Sequence, residues 1–187
     1  MRKMQKDSWQ MRCLIYLAVL CGTVGADQLT KALAVRYLKP IAALPLWEGV
    51  FHLTYVQNPG AAFGMLQNHR WVFLIFSTVG IAAIGVYLWK MRDTDWLTAS
   101  ALLLVMGGGI GNMIDRLALG YVVDFFDFTL INFAVFNVAD IFVCVGCGLM
   151  FLWLFKFAEF DDEKKPSDTK PTDSPDASEE PDDASDR

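Results

Sequence analysis

Hydrophobic positions along this chain gather into four long runs set apart by short polar stretches. Residues 71–89 and 96–114 each make 19 positions without a charge; 141–155 makes 15 and 13–26 makes 14. About 20 apolar residues cross the hydrocarbon of a bilayer. The second and third runs reach that length alone. The first and fourth reach it only if each carries an aspartate near one end, Asp27 and Asp140, and the fourth extends further if Lys156 snorkels to the interface. The pattern predicts four transmembrane helices, at about 11–34, 71–90, 96–116 and 138–158.

The first run has a rival reading. Arg2, Lys3, Lys6 and Arg12 precede it, and Val24, Gly25 and Ala26 near its end resemble the small-residue site of a cleaved signal peptide. Against that, Asp27 and Lys31 follow at once and the apolar pattern resumes. Between the first two runs, Phe51, Leu53 and Tyr55 alternate with His52, Thr54 and Val56, the period of a strand. Asn58-Pro59-Gly60 breaks it. A small sheet is therefore expected in the first long loop. The stretch 128–139 is uncharged and aromatic, which is costly in open water, so this second loop is expected to lie in the membrane interface or to cover something.

Composition sharpens the class. At 54% hydrophobic, with a mean hydropathy of +0.33, the chain is too apolar for an ordinary soluble domain. Its net charge of −5 is segregated: residues 159–187 hold 12 acids and 4 bases, together with four of the seven prolines. That segment cannot bury a core and reads as a disordered acidic tail beyond a membrane domain of residues 1–158. The absence of a basic stripe excludes a nucleic-acid-binding domain. With the N-terminus placed in the cytoplasm, 11 basic residues fall inside and 5 outside. The positive-inside rule thus places both termini in the cytoplasm and the two long loops outside.

Several chemistries lack their parts. Cys144 and Cys147 have metal or redox spacing, but no second ligand pair accompanies them, and they lie in an apolar run. With Cys13 and Cys21 they read as small buried packing residues. His52 and His69 form no HExxH pattern, and no metal is expected. Gly107 and Gly111 form a GxxxG step that allows close helix approach, and no dinucleotide loop is formed around them.

Charges at membrane depth are expensive and are functional candidates by default. Asp27, Asp115, Arg116, Asp124, Asp127 and Asp140 all fall toward the same end of the predicted bundle. Two carboxylates in contact cannot both ionise cheaply, so one holds a proton while the other stays a base. Asp124 and Asp140 are candidates for such a pair, able to activate a water and protonate a leaving amine. Other readings stand beside this one. Asp115 serves as an ion-pairing element with its neighbour Arg116, and Asp127 as a solvated carboxylate. Asp140 after Asn137 serves as a helix N-terminal charge. The same set of carboxylates also fits a proton- or ion-coupled transporter, and the acidic tail fits a membrane scaffold.

The string Gly107-Gly108-Gly109-Ile110-Gly111-Asn112-Met113-Ile114-Asp115-Arg116, running into Gly120-Tyr121-Val122-Val123-Asp124-Phe125, resembles the lipoprotein signal peptidase (signal peptidase II) family. So do Phe136-Asn137-Val138-Ala139-Asp140-Ile141, Asn58-Pro59-Gly60-Ala61-Ala62-Phe63-Gly64 and the Asp27 and Lys31 pair. The resemblance covers about residues 12–158. It implies an all-α membrane protein of four transmembrane helices, with a small extracytoplasmic β-sheet and an interfacial loop. The implied enzyme is an aspartic endopeptidase of the bacterial inner membrane that cuts prolipoproteins before a diacylglyceryl-modified cysteine. By the motifs, Asp124 and Asp140 are the catalytic pair, and Asn58, Asn112, Arg116 and Asn137 line the site. Asp27, Lys31, Gly107, Gly111 and Asp115 support it. Substrate and membrane lipids are the expected partners, and no cofactor is expected. The acidic tail departs from the family pattern.

Overall fold

The computed structural model describes residues 2–60 and 69–162, with side chains over 9–60 and 69–155. Helix α1 (Arg2–Leu33) continues into a wider π-helical turn, Ala34–Leu38. Strands β1 (Ala43–Trp47) and β2 (Phe51–Asn58) follow, then α2 (Arg70–Lys90) and α3 (Trp96–Ala118). Strand β3 (Val122–Asp127), a 3-10 turn at Thr129–Ile131 and α4 (Val138–Asp162) complete the described part. Four helices among the described residues are long and apolar enough to cross a membrane. Residues 61–64 of the Asn58 motif, and the expected tail from 163 on, lie outside the described residues.

Helix α3 is the centre of the bundle and packs against α1, α2 and α4. Its glycines make this possible. A Cβ on Gly107 would meet the Thr23 side chain of α1 at 2.6 Å, and one on Gly108 would collide with the Ala139 carbonyl of α4. The GxxxG step expected from the sequence thus faces α1, while Gly108 faces α4. Towards the other end, Tyr16, Leu88, Ala99 and Leu103 form a small buried cluster. Much of the remaining apolar surface is exposed on the protein, Phe76, Val79, Leu14 and Phe151 included, as suits helices whose surroundings are lipid rather than water.

The expected strand is β2, but the sheet is larger than the first loop alone. It is antiparallel in the order β1-β2-β3, and β3 comes from the second loop. Gly120, at a φ of 85°, ends α3 in the left-handed region and turns the chain back into β3. The sheet sits on the end of α1, where Val123 and Phe125 pack against Ala34 and Leu38. The apolar second loop folds over it: Phe128 stacks on Phe136 at 5.9 Å between ring centroids and leans on Phe51 at 4.8 Å. Leu130 and Ile131 point outward from this cover.

Two expectations change here. Cys13, Cys21, Cys144 and Cys147 are exposed rather than buried. Each serves as a small hydrophobe, and Cys144 lines the cavity at the candidate site described below. Asp115 does not pair with Arg116, its neighbour in sequence. Adjacent helical residues do not face each other, and Asp115 turns inward to Lys31 at 3.1 Å.

Candidate functional site

The polar residues singled out in the sequence converge where α1, α3, α4, β2 and β3 meet. Asp124 sits on β3 and is 2% exposed. Asn58, at the end of β2, donates from Nδ2 to its Oδ2 at 2.9 Å, and Asn137 donates to its Oδ1 at 2.6 Å. Asn58 is itself held by the backbone N–H of Gly60, which donates to its Oδ1 at 3.0 Å. Both oxygens of Asp124 are thus fixed by amides that are fixed in turn. Burial pushes the Asp124 carboxyl up to about 6, and the charge of Asp140 adds to the shift, against the lowering effect of the two amide bonds.

Asp140 begins α4. Its Oδ2 accepts from the backbone N–H of Asn137 at 3.0 Å, while its own N–H donates to Asn137 Oδ1 at 3.1 Å. This reciprocal pair is a capping box. The reading of Asp140 as a helix N-terminal charge therefore describes its geometry without excluding chemistry, because its Oδ1 faces the site and accepts from Asn112 Nδ2 at 2.8 Å. Asn137 also donates to Asn112 Oδ1 at 3.1 Å. Through these two asparagines Asp124 and Asp140 belong to one hydrogen-bonded array. Arg116 lies beside it with its guanidinium 4.7 Å from the Phe73 ring centroid, donating to the Gly60 carbonyl at 3.2 Å.

Behind the pair lies a buried ionic cluster. Lys31 bridges Asp27 at 3.0 Å and Asp115 at 3.1 Å, and all three are nearly inaccessible. Gly111 leaves the room that Asp27 needs, since a Cβ there would overlap its carboxylate. Gln28 escaped sequence analysis. Its Nε2 donates to Asp27 at 3.2 Å, to Asp115 at 3.1 Å and to the Gly111 carbonyl at 3.2 Å. The available signal was a polar side chain inside an apolar run, directly after an aspartate. Asp127 stands apart and accepts from Thr54 Oγ1 on the sheet at 2.8 Å.

Asp124 and Asp140 open onto a cavity of about 530 Å³. Asn58, Asn112 and Arg116 share its polar end. Phe133, Val135, Phe136, Ile141 and Val145 form its apolar wall. A second groove of about 430 Å³ is lined by α2, α3 and α4, with Ser77, Gly80 and Gly109 among larger apolar side chains, and shares Asn112, Arg116 and Asp140 with the first. No cluster of His, Cys, Asp and Glu able to hold a metal occurs among the described residues.

A multi-pass membrane protein whose two carboxylates head an apolar cavity has the parts of an integral-membrane aspartic peptidase. Comparison with known proteins agrees. The family profile described as signal peptidase (SPase) II matches residues 17–156. The lipoprotein signal peptidase of Clostridioides difficile is 39% identical over 144 residues, covering 77% of this chain and 97% of the relative. That of Caldanaerobacter subterraneus is 46% identical over 141 residues, covering 75% and 96%. A solved structure described as a bacterial membrane enzyme superposes with a TM-score of 0.72 at 27% identity, covering 83% of this chain and 94% of its own. The chain belongs to the signal peptidase II family, and it is a peptidase of the aspartic type.

Proposed function

We propose that this chain removes signal peptides from diacylglyceryl-modified bacterial prolipoproteins, cutting just before the lipidated cysteine, with Asp124 and Asp140 as the catalytic pair. The observation that carries the assignment is the array of three asparagines, Asn58, Asn112 and Asn137, that holds both carboxylates at the head of an apolar cavity. Asp127 and the residues of the ionic cluster do not line that cavity.

The chemistry follows from the two environments. Asp140 accepts two N–H donors and faces Arg116, so it serves as the base. Asp124, buried and raised to about 6, serves as the acid. Asp140 takes a proton from a water, whose oxygen adds to the scissile carbonyl carbon. Asp124 gives its proton to the carbonyl oxygen, forming a neutral gem-diol. Asp140 then passes its proton to the amide nitrogen. The C–N bond breaks, the cysteine leaves as a free amine, and a diol proton returns to Asp124 as the new carboxylic acid forms. Amide and water are consumed, and acid and amine are produced.

The apolar cavity suits the acyl chains, since each buried methylene contributes roughly 0.8 kcal/mol. The mostly apolar second groove suits the signal helix. We place the site at the outer face of the bacterial inner membrane and both termini in the cytoplasm, on the distribution of basic residues. Residues 1–158 form the peptidase domain and 159–187 an acidic tail outside the chemistry. The test is single-turnover cleavage of a diacylglyceryl-modified prolipoprotein, with the cut mapped by mass. Asp124→Asn and Asp140→Asn are each expected to abolish cleavage in folded protein, and the double variant to be little worse than either, because the pair acts as a unit. Wild-type-like cleavage by either single variant overturns the assignment.

A further inference from the structure

We propose that Lys31 is a positioning residue for the catalytic pair: through Asp27, Asp115 and Asn112 it fixes where Asp124 and Asp140 stand and which atom of Asn112 faces Asp140. The inference rests on the catalytic reading above and extends it to a residue that touches neither carboxylate of the pair.

The Lys31 side chain is 3% exposed, and its ammonium has three oxygen partners: Asp27 Oδ2 at 3.0 Å, Asp115 Oδ2 at 3.1 Å and Asn112 Oδ1 at 2.9 Å. An ammonium offers three donors and no acceptor. Each partner leads to the pair. The other oxygen of Asp27 accepts from the backbone N–H of Ala139 at 3.0 Å, the residue before Asp140. Asp115 accepts from the backbone N–H of Val123 at 3.1 Å, the residue before Asp124. The two carboxylates on Lys31 thus hold α4 and β3 at the positions that carry the two catalytic aspartates. One cation between them sets the spacing of those backbones.

The third partner sets polarity. Asn112 has one oxygen and one NH2, and Lys31 tolerates only the oxygen. The NH2 must then face the other way, where it donates to Asp140 Oδ1 at 2.8 Å. Asn137 reinforces the choice by donating to the same Asn112 oxygen at 3.1 Å. A side chain at position 31 with an acceptor, or with no polar atom, frees Asn112 to turn its oxygen towards the Asp140 carboxylate. The two negative oxygens would then repel, and the base would move from its place.

The test uses full-length protein in detergent with a diacylglyceryl-modified prolipoprotein. Lys31→Met combined with Asp115→Asn leaves the cluster at its original net charge and so protects the fold. Expected are a kcat lowered at least about 30-fold, a KM within about threefold of wild type and melting within about 5 °C. If the yield of that variant is too low to assay, Lys31→Gln, neutral and polar, is expected to show the same split between kcat and KM. Lys31→Arg, again a pure donor, is expected to recover most of kcat. Because one of its three routes runs through Asn112, adding Lys31→Gln to Asn112→Ala is expected to cost less than the product of the two single losses. Two outcomes overturn the proposal: a folded Lys31→Gln or paired variant with kcat near wild type, or losses that multiply in the combined variant. Failure of the catalytic reading has a separate signature, since Asp124→Asn would then keep its activity.

Discussion

Replacing Asp124 by Asn is expected to change stability with pH in a direction that follows from its burial. The carboxyl stands at about 6 in the folded protein against 3.8 in the unfolded chain, chiefly because it is removed from water. Below about pH 3 it is protonated in both states, and its burial carries no ionisation cost. As pH rises through 6 the unfolded chain has already released the proton freely, whereas the folded chain must place a charge in a buried site. The contribution present at low pH is therefore lost as pH rises through the folded value. The shift of about two units corresponds to about 3 kcal/mol. The asparagine has no proton to release. It also sacrifices a hydrogen bond, because its NH2 must face the donor of Asn58 or Asn137, but that loss is the same at every pH.

The quantity to measure is the melting temperature of the variant minus that of the wild type, in one detergent at one scan rate, from pH 4 to 8. At about 2–4 °C per kcal/mol for a chain of this size, and with part of the effect already lost at pH 4, the difference is expected to move in favour of Asp124→Asn by roughly 5–10 °C across that range. Groups whose environment is unchanged cancel in the subtraction. A difference that stays flat, or that moves in favour of the wild type as pH rises, refutes the argument that burial dominates at Asp124 and removes the basis for the acid role proposed for it.

Gly111→Ala is expected to lower folded yield sharply, because its Cβ overlaps the Asp27 carboxylate and the buried pair with Lys31 must shift, at a cost of about 2–4 kcal/mol. Gly25→Ala, with open space around its Cβ, is expected to be neutral or to gain up to about 1 kcal/mol from helix propensity; thermal melting of both variants checks the contrast. An unmodified prolipoprotein is expected to be cut at least about 100-fold more slowly than the diacylglyceryl form, and equal rates would remove the acyl chains from recognition. Truncation after Asp162 is expected to leave single-turnover cleavage within about threefold of the full chain, and more than a tenfold loss would tie the acidic tail to the chemistry.

Much of this arrangement was legible in the sequence for a physical reason. A membrane removes the option of solvating a charge, so each aspartate in or beside an apolar run announced a partner. Asp27, Lys31, Asp115, Asp124 and Asp140 were all visible in this way, and the structure brings all five to one end of the bundle. Partner choice was not legible. Asp115 beside Arg116 suggested a pair, but the helix turns the two side chains apart, and the ion pair crosses 84 positions of sequence to Lys31 instead. Strand β3 was hidden for another reason: its Val122–Asp127 run is buried along most of its length, so no alternation marked it as a strand. Gln28 carries no charge and drew no notice, though its amide joins both carboxylates of the cluster.

The cluster also bears on why the site needs so many asparagines. Aspartates accept and lysine donates, so an array built from them alone would fix charges but not orientations. Asn112 and Asn137 each carry one donor group and one acceptor, and each is read from both ends. Asn112 receives on the side of Lys31 and gives to Asp140. Asn137 receives from the Asp140 backbone and gives to Asp124. Donation therefore runs from Lys31 through Asn112 to Asp140, while Asn137 donates both to Asp124 and to Asn112. An arrangement of this kind holds the pair rigidly without placing a further charge beside it, which leaves the asymmetry between Asp124 and Asp140 to burial and to Arg116. A lysine or arginine in the place of Asn137 would bind Asp124 more strongly and would hold it ionised, and the acid proposed for the reaction would be lost.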